Sequence, residues 1–373
     1  MQFPFCPNPD CHYHRHAPPG KRWYRPFGSY STKRNGRLPR YRCRACGRTF
    51  SRQTFSIDYY TKKQLCYPTL LRLLSSGVSL RGLSRLFGET TNCIANRIDR
   101  LARQCIASHL HLLGEISLQE PLVADGFETF TVSQYYPENI HLLVGKDSQY
   151  LYSFNHVTIS RKGRMRAEQK KRRELLYRQY RPPRGGVRKL FGALLEELVR
   201  VWVRGPLAPL TLITDEKKEY RYALRDKGVF VHLTAAGLLV HRRISSKKAR
   251  TTQNALFSVN YFDREIRKDC AAHHRESLCF ARNVSASMNR MILYVFYHNY
   301  LKPYRIVPEE MPVHAEVAGV GKESIAAELG RVFSRRVFLS RERVYGFWRK
   351  LWEKELVTPL KKGPEYLPAF ALA

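Results

Sequence analysis

The stretch PLVADGFETF, residues 121–130, raises the question of what fold this chain forms. Its short apolar run reaches Asp125 and continues into Gly126. Asp-Gly is a favoured two-residue hairpin loop, so the simplest interpretation ends a strand here and starts a turn. A second interpretation gives Asp125 a chemical role at the end of a buried strand. The remainder of the chain has to decide between the two.

Further strands and helices are predicted after this stretch. LVAD, FTVSQYY, IHLLVGK and YLYSFNHV are rich in β-branched and aromatic residues, which favours strands. A helix is predicted over 188–203, and LTLITD then forms an apolar strand that ends on Asp215. YRYALRDKG is predicted as a helix, VFVHL as a strand, HRRISSKKARTTQN as a loop, and 255–300 as a long helical stretch. This order predicts a mixed α/β layer fold.

The charge balance indicates a polyanionic partner. The 373 residues include 65 Lys and Arg against 31 Asp and Glu, a formal net charge of +34. Because the basic residues are spread over several segments, nucleic acid is favoured over a membrane surface. No apolar run approaches the roughly 18 residues of a membrane span, and MQFPFCPNPDC does not read as a signal peptide. We therefore expect a cytoplasmic protein without a membrane partner.

Two pairs of cysteines in residues 1–60 indicate a metal site. CPNPDC supplies Cys6 and Cys11, and YRCRACGRTFS supplies Cys43 and Cys46. Four thiolates on two tight turns can surround one ion as a tetrahedron, and this ligand set suits Zn²⁺. In an intracellular chain such pairs favour a metal over disulfides. Three nearby histidines could substitute as ligands or lie beside DNA: His12, His14 and His16.

A helix-turn-helix is predicted within residues 61–112. Apolar residues recur at helical spacing on both sides of Gly88: Leu80, Leu83, Leu86, Phe87, Ile94, Ile98 and Leu101. Two amphipathic helices joined by a short glycine turn match this motif, and Thr90 or Thr91 would cap the second helix. Its polar face would read the DNA groove through Asn92, Asn96, Arg97 and Arg100. An ordinary helical hairpin has the same periodicity and is the alternative.

A dense basic insertion occupies residues 160–184. Only Glu168 and Glu174 oppose its positive charge, so we expect an arm that contacts phosphates rather than a merely solvated face. Part of it is predicted to be helical, from Ala167 to about Tyr177. The candidate DNA contacts of this arm are Arg164, Arg166, Lys170, Lys171, Arg172 and Arg173. A later basic segment adds Arg242, Arg243, Lys247 and Lys248.

Three carboxylates give Asp125 its chemical interpretation. Asp215 ends a second apolar strand, and Asp263 lies early in the helix after the basic loop. Strands that end at one edge of a sheet can bring two aspartates together, and divalent cations relieve the repulsion between them. A third carboxylate from a helix would complete a site for two ions about 4 Å apart. In so basic a chain, the phosphodiester substrate is most simply DNA.

This constellation resembles the DDE transposases of bacterial insertion sequences, in particular those with a zinc ribbon and helix-turn-helix before a ribonuclease-H-like core. The resemblance covers roughly residues 1–300 and is carried by CPNPDC, YRCRACGRTFS, VADGFETF, LITDEKKEY and NALFSVNYFDREIRK followed by HHRESLCFARN. It implies a ribonuclease-H-like fold, Mg²⁺ or Mn²⁺ as catalytic cofactor and the terminal inverted repeats of a mobile element as DNA partner. It also implies a homo-oligomer on DNA.

By this resemblance Asp125 and Asp215 take the first and second acidic positions. The third is a glutamate in most such enzymes, and here Asp263, Glu265 and Glu276 are the alternatives. We favour Asp263, because Asn260, Asp263 and Arg267 share a helix face and Arg267 could contact a phosphate. Glu265 points about 200° away from Asp263 around the helix and is the rival. His273, His274 and Arg275 could also reach the scissile phosphate.

The sequence therefore predicts a DNA transposase that cleaves and rejoins strands with metal ions. The predicted division is a zinc ribbon (1–60), a helix-turn-helix domain (61–112), a catalytic core (115–303) and a C-terminal helical tail (304–373). A catalytically inactive or domesticated DNA-binding regulator is the alternative. A structure-specific nuclease with the same core is a third possibility.

Overall fold

A computed structural model describes residues 2–20, 22–204, 208–274, 277–307 and 311–373, and it is a mixed α/β fold. A three-stranded sheet lies near the N-terminus and a five-stranded mixed sheet lies in the middle of the chain. The first part contains α1 (His12–Arg15), β1 (Tyr24–Thr32), β2 (Gly36–Cys43), β3 (Thr49–Phe50) and a 3-10 turn (Arg52–Phe55). Three helices follow: α2 (Tyr67–Leu74), α3 (Leu80–Phe87) and α4 (Thr91–Leu113).

The middle of the chain alternates between strands and helices. Its elements are β4 (Leu122–Phe130), β5 (Pro137–Gly145), β6 (Leu151–Thr158), α5 (Ala167–Gln179), α6 (Gly186–Trp202), β7 (Leu210–Asp215), α7 (Lys218–Asp226), α8 (Gly228–Ala235), β8 (Leu239–Ile244), α9 (Phe257–Asp269) and α10 (Val284–Tyr300). The last part contains α11 (His314–Val317), α12 (Lys322–Val332), α13 (Gly346–Trp352) and 3-10 turns at Leu339–Arg341 and Ala369–Ala371.

The five-stranded sheet places two of the predicted acids side by side. Its strand order is β6-β5-β4-β7-β8. β4, β5 and β6 are antiparallel neighbours, whereas β7 runs parallel to β4 and β8 parallel to β7. The last registered pair between β4 and β7 is Ala124 with Thr214. Asp125 and Asp215 each follow this pair by one residue, so the two acids sit at the same level of the sheet.

The hairpin interpretation of Asp125-Gly126 is wrong. β4 continues through both residues, which pair with Leu142 and His141 of β5, and it ends only at Phe130. Glycine fits inside this strand because the Asn139 side chain occupies the space of a Cβ at position 126, with its Nδ2 only 2.4 Å from that position. The predicted strand FTVSQYY is also wrong beyond its first residue, since a bend occupies 131–136.

Two secondary-structure predictions between β7 and α9 are wrong as well. VFVHL lies in helix α8, and the segment predicted as a loop contributes strand β8. In the described residues, β8 is an edge strand that pairs only with β7, and its Arg242 and Arg243 are exposed. Because an edge strand needs no alternation of apolar and polar residues, the sequence pattern did not predict β8 as a strand. The long helical stretch is interrupted, because α9 ends at Asp269 and α10 begins at Val284.

The capped helices near the N-terminus form as predicted. The Thr90 side chain caps α4 by accepting from the Cys93 N–H at 3.2 Å, and Gly88 ends α3 in the left-handed conformation.

A single cluster of buried apolar residues extends from Ile57 to Trp352 and includes most of α10. The predicted boundaries at 112, 115 and 303 stay predictions, since this cluster draws on all of these ranges. Within the described ranges, no helix is both long and apolar enough to cross a membrane.

Buried histidines predict a loss of stability in acid. Burial lowers the pKa of His109 to about 4, of His141 to about 3 and of His273 to about 4. It also lowers the pKa of His241, His298 and His314. Because the unfolded chain takes up protons first, stability is present above pH 6.5 and is lost as pH falls toward the folded values. Each residue contributes at most about 1.4 kcal/mol per pH unit.

We therefore expect the free energy of unfolding to fall by several kcal/mol between pH 7 and pH 5. The destabilisation from these six histidines should exceed the opposite effect of the carboxyl groups whose pKa is raised in the folded protein. Urea titrations followed by tryptophan fluorescence measure it. His109→Gln should reduce the pH dependence, whereas the exposed His12→Gln should leave it unchanged. An unfolding free energy that stays constant over this range would contradict the prediction.

Candidate functional site

The four predicted cysteine ligands lie together. Cys6 and Cys46 are 3.6 Å apart between their Sγ atoms, Cys11 and Cys43 are 3.7 Å apart, and all four Sγ atoms lie within 4.8 Å of one another. Ligands at a Zn–S distance of about 2.3 Å in a tetrahedron would be separated by about 3.8 Å. The cluster therefore has a geometry that could bind a metal, and it is consistent with structural zinc.

Local backbone structure positions these thiols. Gly47, at φ 72°, closes the turn after Cys43, and its N–H donates to the Cys43 carbonyl at 3.1 Å. Burial raises the pKa of the Cys6 and Cys11 thiols, so a cation is needed to hold all four as thiolates. His14 is not a substitute ligand, because its Nδ1 bonds the Cys6 carbonyl at 2.7 Å and its Nε2 bonds Ser340 Oγ at 2.8 Å.

The cysteine cluster belongs to a small aromatic unit, here called the ribbon (residues 3–55). Its core contains Phe3, Trp23, Tyr24 and Phe50 around the cysteines. The ribbon contacts the C-terminal segment 334–342, where the Phe5 ring lies 5.1 Å from Phe338 and the Arg341 guanidinium lies 4.2 Å from the Phe5 centroid. The ribbon is therefore held by residues more than 320 positions away in the chain.

The three aspartates come from β4, the end of β7 and α9. Asp125 Oδ1 accepts from the Gly126 N–H at 2.7 Å and from the Tyr220 hydroxyl at 3.2 Å. Asp215 Oδ1 accepts from the Lys217 N–H at 2.9 Å. Asp263 Oδ1 is buried and has no hydrogen-bond partner among the described residues. Such an unsatisfied acceptor is costly unless a donor or a cation reaches it.

Electrostatic coupling links these three acids. Burial, together with the charge of Asp215, raises the pKa of Asp125 to about 6. Burial, together with the charge of Asp125 and against the opposing effect of Arg267 and Arg250, raises the pKa of Asp263 to about 8. Asp125 therefore interacts with an acid on each side, and a positive ion between the carboxylates would relieve the repulsion.

The carboxylates are farther apart than the thiols. In the part of the chain that the structure describes, the four cysteines are the one group of three or more candidate ligands within 4.8 Å of one another. Asp125, Asp215 and Asp263 do not form such a group.

Glu265 lies away from the aspartates. Its carboxylate is buried and paired with Lys302 and, at 2.9 Å, with Lys268. These pairs lower its pKa against the effect of burial. Asp263 therefore interacts electrostatically with Asp125, whereas the carboxylate of Glu265 is neutralised by two lysines. Glu276 lies outside the described residues, and α9 has already ended at Asp269.

Tyr220, in the first half of α7, was missed by sequence reasoning. Its hydroxyl donates to Asp125, its ring stacks 4.2 Å from Phe191, and burial followed by the charge of Asp125 raises its pKa. The sequence feature that could have identified Tyr220 is its position five residues after Asp215, on the helix that directly follows β7. Tyr220 holds the Asp125 carboxylate in place.

Two of the predicted groove-reading residues have interior partners instead. Arg97 is buried, pairs with Asp58 at 2.9 Å and donates to the Lys63 carbonyl at 2.6 Å. Arg100 donates to the Ile57 carbonyl at 3.1 Å, and its guanidinium lies over the Phe370 ring. These two arginines tie α4 to neighbouring segments, so their placement on an exposed face is wrong. Asn92 and Asn96 are exposed as predicted.

The basic arm is a solvent-facing helix. The predicted helix is confirmed as α5, which has no buried residue. It is held by the Tyr177 hydroxyl, which donates to the Tyr135 carbonyl at 3.1 Å, and by the Tyr136 hydroxyl, which donates to the Leu176 carbonyl at 2.9 Å. Exposed cations of this arm are Arg164, Arg166, Lys170, Lys171 and Arg172. Arg173 is half-buried over Tyr177 and donates to the Arg161 carbonyl.

The remaining basic candidates divide into exposed and packed residues. The exposed ones lie on β8 and the loop after it: Arg242, Arg243, Lys247 and Lys248. Arg267 packs over Phe127 at 4.6 Å and donates to the Glu128 carbonyl at 3.0 Å. His273 is buried against Phe127, and His274 bonds the Lys268 carbonyl at 3.0 Å. Arg275 lies outside the described residues.

Comparison with known proteins adds no further constraint. No model of a known protein family matches this chain, and no curated protein matches it either. The geometry of the four cysteines and of the three aspartates is therefore the basis for a functional proposal.

Proposed function

We propose that this chain is a DDE-type DNA transposase, which binds the ends of a mobile element and catalyses metal-dependent cleavage and strand transfer. The observation that carries the proposal is that Asp125 and Asp215 lie at the same level of the neighbouring strands β4 and β7, while Asp263, with an unpartnered Oδ1, lies on the helix α9 that packs against β4. The order of three antiparallel strands followed by two parallel ones supports a ribonuclease-H-like core around them.

The donor set at this site suits hard divalent cations. All three side chains offer carboxylate oxygens, the ligands that Mg²⁺ and Mn²⁺ prefer. The unpartnered Asp263 Oδ1 is an acceptor that a cation would satisfy. Asp125, Asp215 and Asp263 would hold the ions, which supply an activated nucleophile and stabilise the leaving 3′-oxygen.

The other residues of the site position groups around these acids. Tyr220 restrains the Asp125 carboxylate through its hydroxyl, and Lys217 is held near Glu128 with its ammonium 3.8 Å from the carboxylate. Arg250, an exposed residue of the basic loop before α9, acts electrostatically on Asp263 and would contact a phosphate bound there. The exposed cations of α5 and β8 would then bind the flanking DNA backbone.

A DNA-binding regulator without catalysis is the second candidate. The separation of the three carboxylates favours it, because a site that never closes around metal would bind DNA and leave it intact. In both candidates the ribbon and the exposed Asn92 and Asn96 of α4 would contact the DNA ends. As a transposase, the chain would act as a homo-oligomer, since two ends have to be joined.

A cleavage assay tests the proposal. The protein is incubated with a labelled duplex carrying the genomic DNA that flanks its reading frame, and with Mg²⁺, Mn²⁺ or EDTA. We expect nicks at the element end and joined products with either ion and neither with EDTA. Binding without cleavage would favour the regulator, and cleavage without joining would favour a structure-specific nuclease.

A further inference from the structure

A groove of about 980 Å³ lies between the β1–β2 hairpin and residues 59–62, outside the carboxylate site. Four aromatic side chains line it, of which Phe50 is buried in the ribbon core: Tyr30, Phe50, Tyr59 and Tyr60. Tyr60 is 73% exposed, which is unusual for so large an aromatic side chain. Its ring lies 4.3 Å from that of Tyr59, so the two rings form one face of the groove.

The groove is also strongly positive. Five cations line it and no carboxylate does: Lys33, Arg34, Arg40, Arg48 and Lys62. Arg34 is neutralised by Asp58 at 2.6 Å. The other four have no ion-pair partner in the described ranges, and Arg40 lies 5.4 Å from the centroid of the Tyr30 ring. Unpaired cations beside exposed rings fit a ligand that carries both phosphates and flat bases.

The backbone at Tyr60 is strained. Its φ is 60°, the left-handed region that is unfavourable for a bulky residue. Turn hydrogen bonds maintain this conformation, from the Tyr59 N–H to the Ser56 carbonyl at 2.9 Å and from the Thr61 N–H to the Asp58 carbonyl at 3.0 Å. Because the ring faces solvent, little burial compensates for the strain. Strain kept at an exposed aromatic residue points to a ligand.

The groove continues toward α4. A second cavity of about 570 Å³ shares residues 60–62 with it and is bordered by Asn96, Arg103 and Tyr366. Tyr366 is 81% exposed, and Phe370, which lines the same cavity, has its ring centroid 6.0 Å from that of Tyr60. The two cavities together form a continuous track of rings and cations from the ribbon hairpin to the predicted DNA-contacting helix.

We propose that this track binds single-stranded DNA, with unstacked bases on Tyr60 and Tyr366 and phosphates along Lys33, Arg40, Arg48 and Lys62. A duplex covers the faces of its bases, so exposed rings favour an unpaired strand. The inference rests on the proposed function in taking DNA as the partner. It assigns the track to an unpaired strand at the DNA end, separate from the strand held at the carboxylates.

Fluorescence anisotropy with a labelled oligothymidylate of about 12 nucleotides tests this proposal, since single-strand sites span about 4–16 nucleotides. We expect Tyr60→Ala and Tyr366→Ala each to weaken binding about 10-fold or more, because stacking on one base contributes about 1–3 kcal/mol. Tyr60→Phe should keep wild-type affinity. Lys322→Ala, an exposed lysine that does not line the track, is the charge control.

Further arms separate the possible outcomes. Tyr60→Gly should raise the melting temperature by relieving backbone strain while weakening binding, a combination that a structural role would not give. Equal affinity of Tyr60→Ala and wild type for oligothymidylate overturns the proposal, as does tighter binding of a duplex or of oligouridylate. Asp125→Asn should bind oligothymidylate normally. A protein that cleaves no DNA but binds through Tyr60 would refute the proposed catalysis alone.

Discussion

Asp125→Asn is expected to abolish metal-dependent cleavage and strand transfer, with a loss of at least about a thousandfold in rate. The asparagine keeps the size of the side chain but removes the charge that couples Asp125 to Asp215 and Asp263. Asp215→Asn should have the same effect. Duplex binding should stay within a few-fold of wild type, because the exposed cations of α5 and β8 are untouched. Gel assays measure the rates of cleavage and strand transfer and the affinity for duplex DNA.

Matched variants separate catalysis from general damage. Asp226→Asn removes an exposed carboxylate that pairs with Arg188 and should leave cleavage unchanged. Asp263→Asn should be as inactive as Asp125→Asn, whereas Glu265→Gln should retain cleavage while losing stability through its pairs with Lys268 and Lys302. Cleavage by both Asp125→Asn and Asp215→Asn would end the catalytic proposal.

A stability measurement supplements the rates. A carboxyl whose folded pKa is raised stabilises the protein below its unfolded pKa of about 3.8 and loses that contribution as pH rises through the folded value. For Asp125 the folded value is about 6. Above this pH the wild type carries a penalty of order 3 kcal/mol. Asp125→Asn should therefore melt at a higher temperature than wild type without metal, and Mg²⁺ should stabilise the wild type more.

Cys43→Ser is expected to remove the metal from the ribbon and unfold this part of the protein. Structural zinc contributes about 10 kcal/mol or more to the folding of small domains, and Cys43 is itself one of the buried residues of the ribbon core. Metal analysis should fall from one zinc per chain toward none, and Trp23, fully buried in the ribbon, should become solvent-exposed. Binding to the DNA ends should weaken in parallel.

A free cysteine provides the control for this variant. Cys279→Ser changes an exposed thiol outside the ribbon and should keep both the zinc and the ribbon fold. Treatment of the wild type with a chelator should reproduce Cys43→Ser. A Cys43→Ser protein that still holds one zinc per chain would show that the four thiols are not the ligand set.

Local patterns in the sequence predicted the parts of the structure that depend on neighbours in the chain. The clustering of the four cysteines followed from their spacing, and helix α5 and the Thr90 cap followed from residue preference. The α/β class followed from the order of elements. The Asp-Gly turn signal failed because Gly126 serves a contact with Asn139, a residue of the adjacent strand.

Features set by distant partners could not be predicted in this way. Helical periodicity placed Arg97 and Arg100 on a polar face, but Asp58 and the Ile57 carbonyl draw both inward. Strand β8 was missed because its sequence, LVHRRI, follows the rules of an exposed edge. VFVHL is apolar enough for a strand yet forms α8, and only its tertiary surroundings distinguish the two.

The contact of the ribbon with segment 334–342 has a consequence during protein synthesis. The ribbon leaves the ribosome first, but Phe338, Ser340 and Arg341, which hold Phe5 and His14, are translated roughly 280 residues later. At about 5–20 residues per second, the nascent ribbon spends at least about 14 s without its docking partner. A ribosome that stops before residue 334 therefore releases a polypeptide whose four-cysteine ribbon lacks the segment against which it packs.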